Sequence, residues 1–276
     1  MPELPEVETI RRSLEPLLLN QQIRQAHLYL AKAFKTGTAE EFSQVLAGAE
    51  IRQLLRRGKH LIIRFEQGMD LVVHLRMTGR LLYLDGETQL PKHTTACWEL
   101  TNGKKLVFED TRKFGTLHLV PAGEWEAVSS LKDIGVEPLG AYFTFDYFYQ
   151  GLQRKTKIKV LLLDQTFIAG LGNIYVDESL FQAGIHPERP ADSLSKPEAK
   201  RLHQAIRQTV ELGVKHRGTS ISDYLDGLGH PGEFQNFLAV YQRTAEHCPK
   251  CGTPIARIKI GGRSSHFCPN CQRPSD

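Results

Sequence analysis

The sequence predicts an α+β fold, and three observations carry that reading. From Pro5 to Leu18 apolar side chains recur at helical spacing, six short segments between His60 and Val120 drop to a period near two, and the chain ends on C-x2-C-x16-C-x2-C. A helix, an antiparallel sandwich or barrel, a helical region and a metal-held hairpin should therefore follow one another. A chain of 276 residues, 41% of them hydrophobic, has the length for two domains and a small appendage.

In chain order, MPELPEVETIRRSL comes first. Pro5 suits a first helical turn, and Val7, Ile10, Leu14, Leu17 and Leu18 then line one face. A small residue at position 2 favours removal of Met1, which would expose the secondary amine of Pro2 beside the carboxylate of Glu3. Such a pair has catalytic form, although most Met-Pro starts are inert. Glu6 and Glu8 read as carboxylates placed to complement the helix dipole. The segments HLIIRF, DLVVHLRM, RLLYL, ACWEL, KLVFED and TLHLV read as strands, separated by turns such as Asn102-Gly103. Residues 133–149, with GVEPLG inside them, have the composition of an interdomain connection. Helical patterns occupy Leu161 to Asp164, Tyr175 to Ala183 and Pro197 to Lys215. Between the first two lies FIAGLGNIY, a tight turn onto a helix N-terminus that, with Asn173, can hold a phosphate. A dinucleotide fingerprint is excluded there, because its third glycine position is Tyr175 and no strand precedes it.

The net charge of +4 permits a nucleic-acid partner without requiring one. The clustering is more telling: RQLLRRGKHLIIR, Arg52 to Arg64, holds five Lys/Arg and no acid, and Arg243 to Arg273 holds six against Glu246 alone. Either cluster is the footprint of phosphate neutralisation or a solvated cationic face. With no run of about 18 apolar residues and with Glu3, Glu6 and Glu8 where a signal peptide needs basic residues, the expected compartment is the cytosol.

Cys248, Cys251, Cys268 and Cys271 form CPKC and CPNC around ARIKIGGRSSHF, a hairpin with Gly261-Gly262 at its turn that holds up Arg263 and His266. Two C-x2-C turns present four thiolates to one tetrahedral Zn²⁺, a closed and hence structural site; two disulfides are the alternative, disfavoured in a reducing compartment. Cys97, in TACWEL, reads as a buried strand residue without chemistry.

PELPEVET, RRGK at 56–59, HLRM at 74–77, TRKFG at 111–115, DQTFIAGLGNIYVDESL at 164–180 and the four-cysteine ending stand in one family's order. The chain resembles the formamidopyrimidine-DNA glycosylases, bacterial enzymes that excise 8-oxoguanine and ring-opened purines and cleave the resulting abasic site. The resemblance, from Pro2 to Cys271, implies an N-terminal antiparallel β-sandwich over 1–134, a linker over 135–150, a helix-two-turn-helix domain over 151–235 and a zinc-ribbon hairpin over 236–276. It also implies one structural Zn²⁺, a monomer, a nucleoid-associated cytoplasmic setting and double-stranded DNA with oxidised purines as partner.

Carried onto matching positions, the resemblance makes the Pro2 amine the nucleophile at C1′, Glu3 the general acid, Lys59 the lysine of β-elimination and Arg263 the arginine of δ-elimination. For Lys59 and Arg263 a plain phosphate contact is the competing reading. Met77, Arg112 and Phe114 match the residues that fill the gap left by an extruded nucleotide. His93, Arg112 and Lys155 match DNA-backbone contacts, and Asn173 matches the phosphate-binding turn. Thr94-Thr95 follow His93 where relatives often carry a second histidine, Thr78 stands where some carry glutamate, and residues 218–236 fall at the variable lesion loop. The sister endonuclease VIII family, which acts on oxidised pyrimidines, typically begins with glycine where Leu4 stands. A non-catalytic zinc-ribbon DNA-binding protein would not need Pro2, and a proline-amine enzyme of small molecules would leave the zinc ribbon and basic clusters unexplained.

Overall fold

A computed structural model describes residues 1–274. The chain forms two compact units, one of residues 1–133 with 216–235 and one of residues 134–215 with those from 236 onward. The first unit contains α1 (Leu4–Leu18), β1 (Ile23–Leu28), α2 (Ala39–Leu46), β2 (Ile51–Arg57), β3 (His60–Phe65), β4 (Met69–His74), β5 (Gly79–Asp85), β6 (Thr94–Leu100), β7 (Lys104–Asp110) and β8 (Thr116–Pro121).

Two four-stranded antiparallel sheets, ordered β1-β6-β7-β5 and β2-β3-β4-β8, enclose one core. Trp98, Leu106 and Phe108 fill it from the first sheet, and Leu61, Ile63, Leu71 and Val73 from the second. The expected sandwich is thus present. Val7, Ile10, Leu14 and Leu18 bury the apolar face of α1 in the same core. That contact, more than helical propensity, fixes the helix. The register His60↔His74 and Leu61↔Val73 alternates side chains across the sheet, yet Ile62 and Val72 on its other face are also buried. Hence β3 reads as an almost continuous apolar run.

Patterning left β1, β2 and α2 unseen. The stretch from Arg52 to Arg64 is a hairpin rather than a bare cationic face, because the protein's own acids occupy Arg52, Arg56 and Arg64. Arg52 pairs with Glu50 and Glu66, Arg56 with Glu8, and Arg64 with Asp70 through two 2.8 Å bonds.

The second unit contains α3 (Phe145–Gly151), α4 (Ile158–Leu163), α5 (Asn173–Ala183), α6 (Lys196–Lys215), β9 (Ala256–Ile260) and β10 (Arg263–Phe267). The 135–150 linker is therefore corrected at its end: Thr144 accepts from Tyr147 N at 3.2 Å and caps α3, which buries Phe148. Nearly every side chain of α5 is buried, and the Tyr175 ring lies so close to Gly213 of α6 that a Cβ there would meet it at 2.4 Å. Residues 216–235, assigned above to the helical domain, pack in the first unit, where Gly227 N donates to Ser13 Oγ and Tyr83 N to Gly227 O. Periodicity could not reveal this, since the segment has no regular structure beyond a turn of 3₁₀ helix that begins at Phe234. No helix among the described residues is long and apolar enough to cross a membrane.

His60, on β3, is buried against His74 at a 4.4 Å ring separation, and its Nε2 lies 2.8 Å from Ser130 Oγ. Burial brings its pKa down from 6.5 to about 4, with Arg76 and Lys59 adding repulsion. The unfolded chain therefore binds the proton more tightly, and the stability that His60 contributes is complete above pH 6.5 and lost as pH falls towards 4. Urea midpoints measured across this window should fall by an amount equivalent to roughly 3 kcal/mol per such histidine. His60→Gln should flatten that slope; identical slopes for the two proteins would refute the assignment.

Candidate functional site

In the first unit, Pro2 and Glu3 are buried where the chain enters α1. Glu3 N donates to Glu6 Oε2 at 2.8 Å, while Glu6 Oε1 accepts from Thr219 N at 2.7 Å. Glu6 thus stands in the first turn of α1, as its helix-dipole reading expects, and is in addition a buried clamp between the Pro2-bearing turn and residues 218–219. Gly218 has φ +76°, and a Cβ there would meet Glu6 Cγ at 2.8 Å, so both backbone conformation and space require glycine. A hint of the clamp was legible in the three-residue step from Glu3 to Glu6, the spacing of a capping box.

Lys59 is buried in the two-residue turn Gly58-Lys59, closed by the Arg57↔His60 pair. Gly58 supplies φ +55°. Arg56 holds this turn by donating to Gly58 O at 3.0 Å and reaches Glu8 of α1 at 3.2 Å. Burial pushes the Glu8 carboxyl up, but hydrogen bonds from Arg11 and Arg12 and the charge of Arg56 outweigh it and leave Glu8 below the usual range. Glu8 is therefore an anionic strut between α1 and the lysine turn.

At the same end of the sheet, where His60 pairs with His74 and His74 with Thr116, Met77, Arg112 and Phe114 meet. Arg112 Nη1 lies 2.9 Å from Met77 Sδ, and its guanidinium stands 5.0 Å from the Phe114 ring centroid. Met77 is 45% and Phe114 54% exposed, which sets both apart from the core residues that such types usually become in strand-rich segments. Both lie in turns with a left-handed residue, Arg76 at φ +57° and Lys113 at φ +59°. His74 Nδ1 accepts from Arg76 N at 2.9 Å and so supports the first turn. His93 lies beside the second, its carbonyl accepting from Asp110 N at 2.9 Å.

In the second unit, the zinc hairpin is formed as expected: Arg263 pairs with Ile260, and Gly261-Gly262 take φ +55° and +79°, the signs a two-residue type I′ turn demands. The four cysteine sulfurs lie within 4.8 Å of one another. Separations of 3.4 Å for Cys251–Cys268 and 3.9 Å for Cys248–Cys271 exclude disulfide bonds of about 2.05 Å. They fit a tetrahedron of thiolates around one Zn²⁺, whose ~2.3 Å bonds place sulfurs about 3.8 Å apart.

The hairpin is fastened to the helices by a buried network. Lys159 Nζ donates to Asp177 Oδ1 at 2.6 Å and to Ser264 O at 2.8 Å, and Asn173 Nδ2 donates to the same carbonyl at 2.8 Å. Asp177 Oδ2 accepts from His266 N at 2.9 Å. His266, expected on display with Arg263, instead points inward as part of this anchor, while Arg263, beside the Gly261-Gly262 turn at the hairpin tip, is exposed. Arg263 and Lys155 line one open depression of about 500 Å³, together with Arg154 and Gly261. Asn173 begins α5 as expected, and its buried Oδ1 has no hydrogen-bond partner among the described residues. Lys159 and Asp177 escaped the sequence reading because a buried ion pair carries no periodic signature.

Buried amine-bearing and acidic residues, a solvent-facing Met/Arg/Phe trio, and a four-cysteine hairpin with an exposed arginine are the parts of a zinc-finger DNA-repair protein. Comparison with known proteins agrees with that class. Residues 1–117 match the formamidopyrimidine-DNA glycosylase N-terminal domain, 134–224 the H2TH domain of the same glycosylases, and 245–274 the zinc finger found in FPG and IleRS. The formamidopyrimidine-DNA glycosylase of Desulforamulus reducens is 48% identical over 275 residues, 99% of each chain, and that of Pelotomaculum thermopropionicum 46% over 274, again 99% of each. Among solved structures, a Lactococcus lactis FPG mutant in complex with Fapy-dG DNA superposes with a TM-score of 0.92 at 38% identity, covering 99% of this chain and 100% of that one. The MutM (FPG) protein of Thermus thermophilus superposes at 0.90 with 41% identity over 100% of both. The chain belongs to the formamidopyrimidine-DNA glycosylase family, the base-excision-repair DNA glycosylases with apurinic lyase activity.

The zinc is expected to hold the hairpin and nothing else. Cys268→Ala should reduce bound zinc from one per chain towards none by atomic absorption and should abolish DNA binding in a gel shift. Retention of a full equivalent of zinc would contradict a site built from all four cysteines.

Proposed function

We propose that the Pro2 amine, freed by removal of Met1, is the nucleophile of an oxidised-purine glycosylase and lyase. The observation that favours this most is that the unit burying Pro2, Glu3 and Lys59 also presents Met77, Arg112 and Phe114 to solvent. A nucleotide in a duplex is closed to attack at C1′, and turning it out costs a few kcal/mol of stacking that a wedge must offset. In this reading Met77 and Phe114 fill the vacated space, Arg112 hydrogen-bonds the orphaned partner base, and His93, Lys155 and Asn173 grip the backbone.

A secondary amine suits the reaction physically. Attack at C1′ breaks the glycosidic bond and releases the base. With Glu3 protonating the opening sugar, the product is an iminium that stays cationic at every pH. That cation draws electrons from C2′, so loss of the C2′ proton and cleavage of the C3′–O bond follow, with Lys59 moving protons. Arg263 assists the second elimination, which cuts the C5′–O bond. Only the neutral amine attacks, so the cationic Lys59 also serves by favouring that form. DNA as substrate argues for a nucleoid setting in the cytoplasm, and one copy of each residue suffices for a monomer to act. The narrower lesion preference is read as purine. A Lactococcus lactis Fpg was nevertheless solved on DNA carrying an oxidised pyrimidine, which makes pyrimidine lesions the comparison to run.

Borohydride added to protein mixed with duplexes carrying 8-oxoguanine opposite C, or thymine glycol opposite A, should trap a covalent adduct chiefly on the first. Pro2→Ala should trap none, and Glu3→Gln should slow excision by about 10²- to 10⁴-fold. Full trapping by Pro2→Ala, or by protein that retains Met1, would remove Pro2 from the mechanism. Affinity for undamaged duplex should fall steeply between about 50 and 200 mM salt as phosphate contacts release counterions. A flat salt dependence would count against the backbone contacts assigned.

A further inference from the structure

Asp110 ends β7 as a carboxylate only 1% exposed, and it pairs with no lysine or arginine side chain among the described residues. Its partners are all in or beside the two wedge turns. Oδ1 accepts from Thr78 Oγ1 at 2.6 Å and from Arg112 N at 3.2 Å, and Oδ2 accepts from Phe114 N at 2.8 Å and Gly115 N at 2.7 Å. Thr78 Oγ1 in turn accepts from Arg112 N at 3.1 Å. The threonine hydroxyl thus joins the turn carrying Met77 to the turn carrying Arg112 and Phe114. The approach is tight: a Cβ on Gly115 would meet the Phe108 ring at 2.4 Å and Asp110 Oδ2 at 3.1 Å.

We propose that Asp110 and Thr78 form a latch that positions the wedge, so that residue 78 acts on nucleotide extrusion through Asp110. The latch rests on the reading of Met77, Arg112 and Phe114 as the wedge. An ionised carboxylate can only accept, which suits the four donors around it. It replaces the sheet bonding that ends at Asp110 and holds Lys113 in its left-handed conformation. Neither Asp110 nor Thr78 takes part in bond making, so both are positioning residues. Their loss should affect the steps that need an inserted wedge and spare those that do not.

Zinc-loaded full-length protein carrying Thr78→Val, Thr78→Ser, Asp110→Asn or Phe114→Ala is compared in single-turnover excision on an 8-oxoguanine:C duplex and in borohydride trapping on a duplex with a preformed abasic site. Thr78→Val keeps the shape of threonine without its hydroxyl, and Asp110→Asn turns an acceptor into a donor facing donors. Both should slow excision from the lesion duplex by about tenfold or more while abasic-site trapping stays within about threefold, and Thr78→Ser should restore excision. Phe114→Ala should behave like Thr78→Val. If Phe114→Ala is impaired on the lesion duplex while Thr78→Val and Asp110→Asn are not, the latch is overturned. Equal losses on both duplexes overturn it as well, since they mark a general structural defect. An unimpaired Phe114→Ala overturns the wedge reading itself.

Discussion

A carboxylate removed from water must be surrounded by donors, and this protein uses that requirement to hold together segments far apart in its sequence. Glu6 gathers amides from residues 3 and 219, and Asp110 gathers amides from 112, 114 and 115 with the hydroxyl of Thr78. Glu178 takes the amides of Ala239, Val240 and Tyr241, although burial still raises its pKa. Asp177 takes Lys159 and the amide of His266. Each acid lies in or next to regular structure; three fix an irregular piece, namely the N-terminal turn, the loop carrying Arg112 and Phe114, and the segment before the zinc hairpin, and Asp177 fastens the hairpin itself. Hydrogen bonds to an ionised acceptor are about twice as strong as neutral ones, so one rigid side chain can order several residues of loop.

The charge distribution follows the same logic. Cations in the β2–β3 hairpin are largely matched by internal acids, which makes them part of the scaffold. Arg112, Lys155 and Arg263 stand in exposed places, where a polyanion can reach them.

Much of the architecture was legible because burial writes periodicity. The face of α1 and the strands from β3 to β8 declared themselves through apolar spacing, and the cysteines through the geometry of zinc. β1, with the sequence IRQAHL, and β2, with IRQLLRR, did not, since polar residues break their alternation; α3 hid in a stretch where proline and glycine suggested a connection. At the site, residue types and order pointed to Pro2, Glu3 and the Met77, Arg112 and Phe114 trio. Of the supports behind them, Glu6 showed only through its capping-box spacing from Glu3, while Asp110, which binds mostly backbone, and the buried pair Lys159 and Asp177 left no pattern to read. His266 was misread because only its packing against Asp177, seen in three dimensions, separates it from Arg263 at the hairpin tip.

The clamp between Glu6 and Thr219 spans 213 residues. On the ribosome, where chains grow at about 5–20 residues per second, the helix that carries Pro2 is complete roughly 10 to 40 s before the strap that seats it has been made. During that interval the Glu6 carboxylate has only water for one of its two partners, and the first unit is a sandwich lacking its last piece. Vectorial synthesis thus delays assembly of the turn beneath Pro2 until most of the chain, the long helix α6 included, has been made.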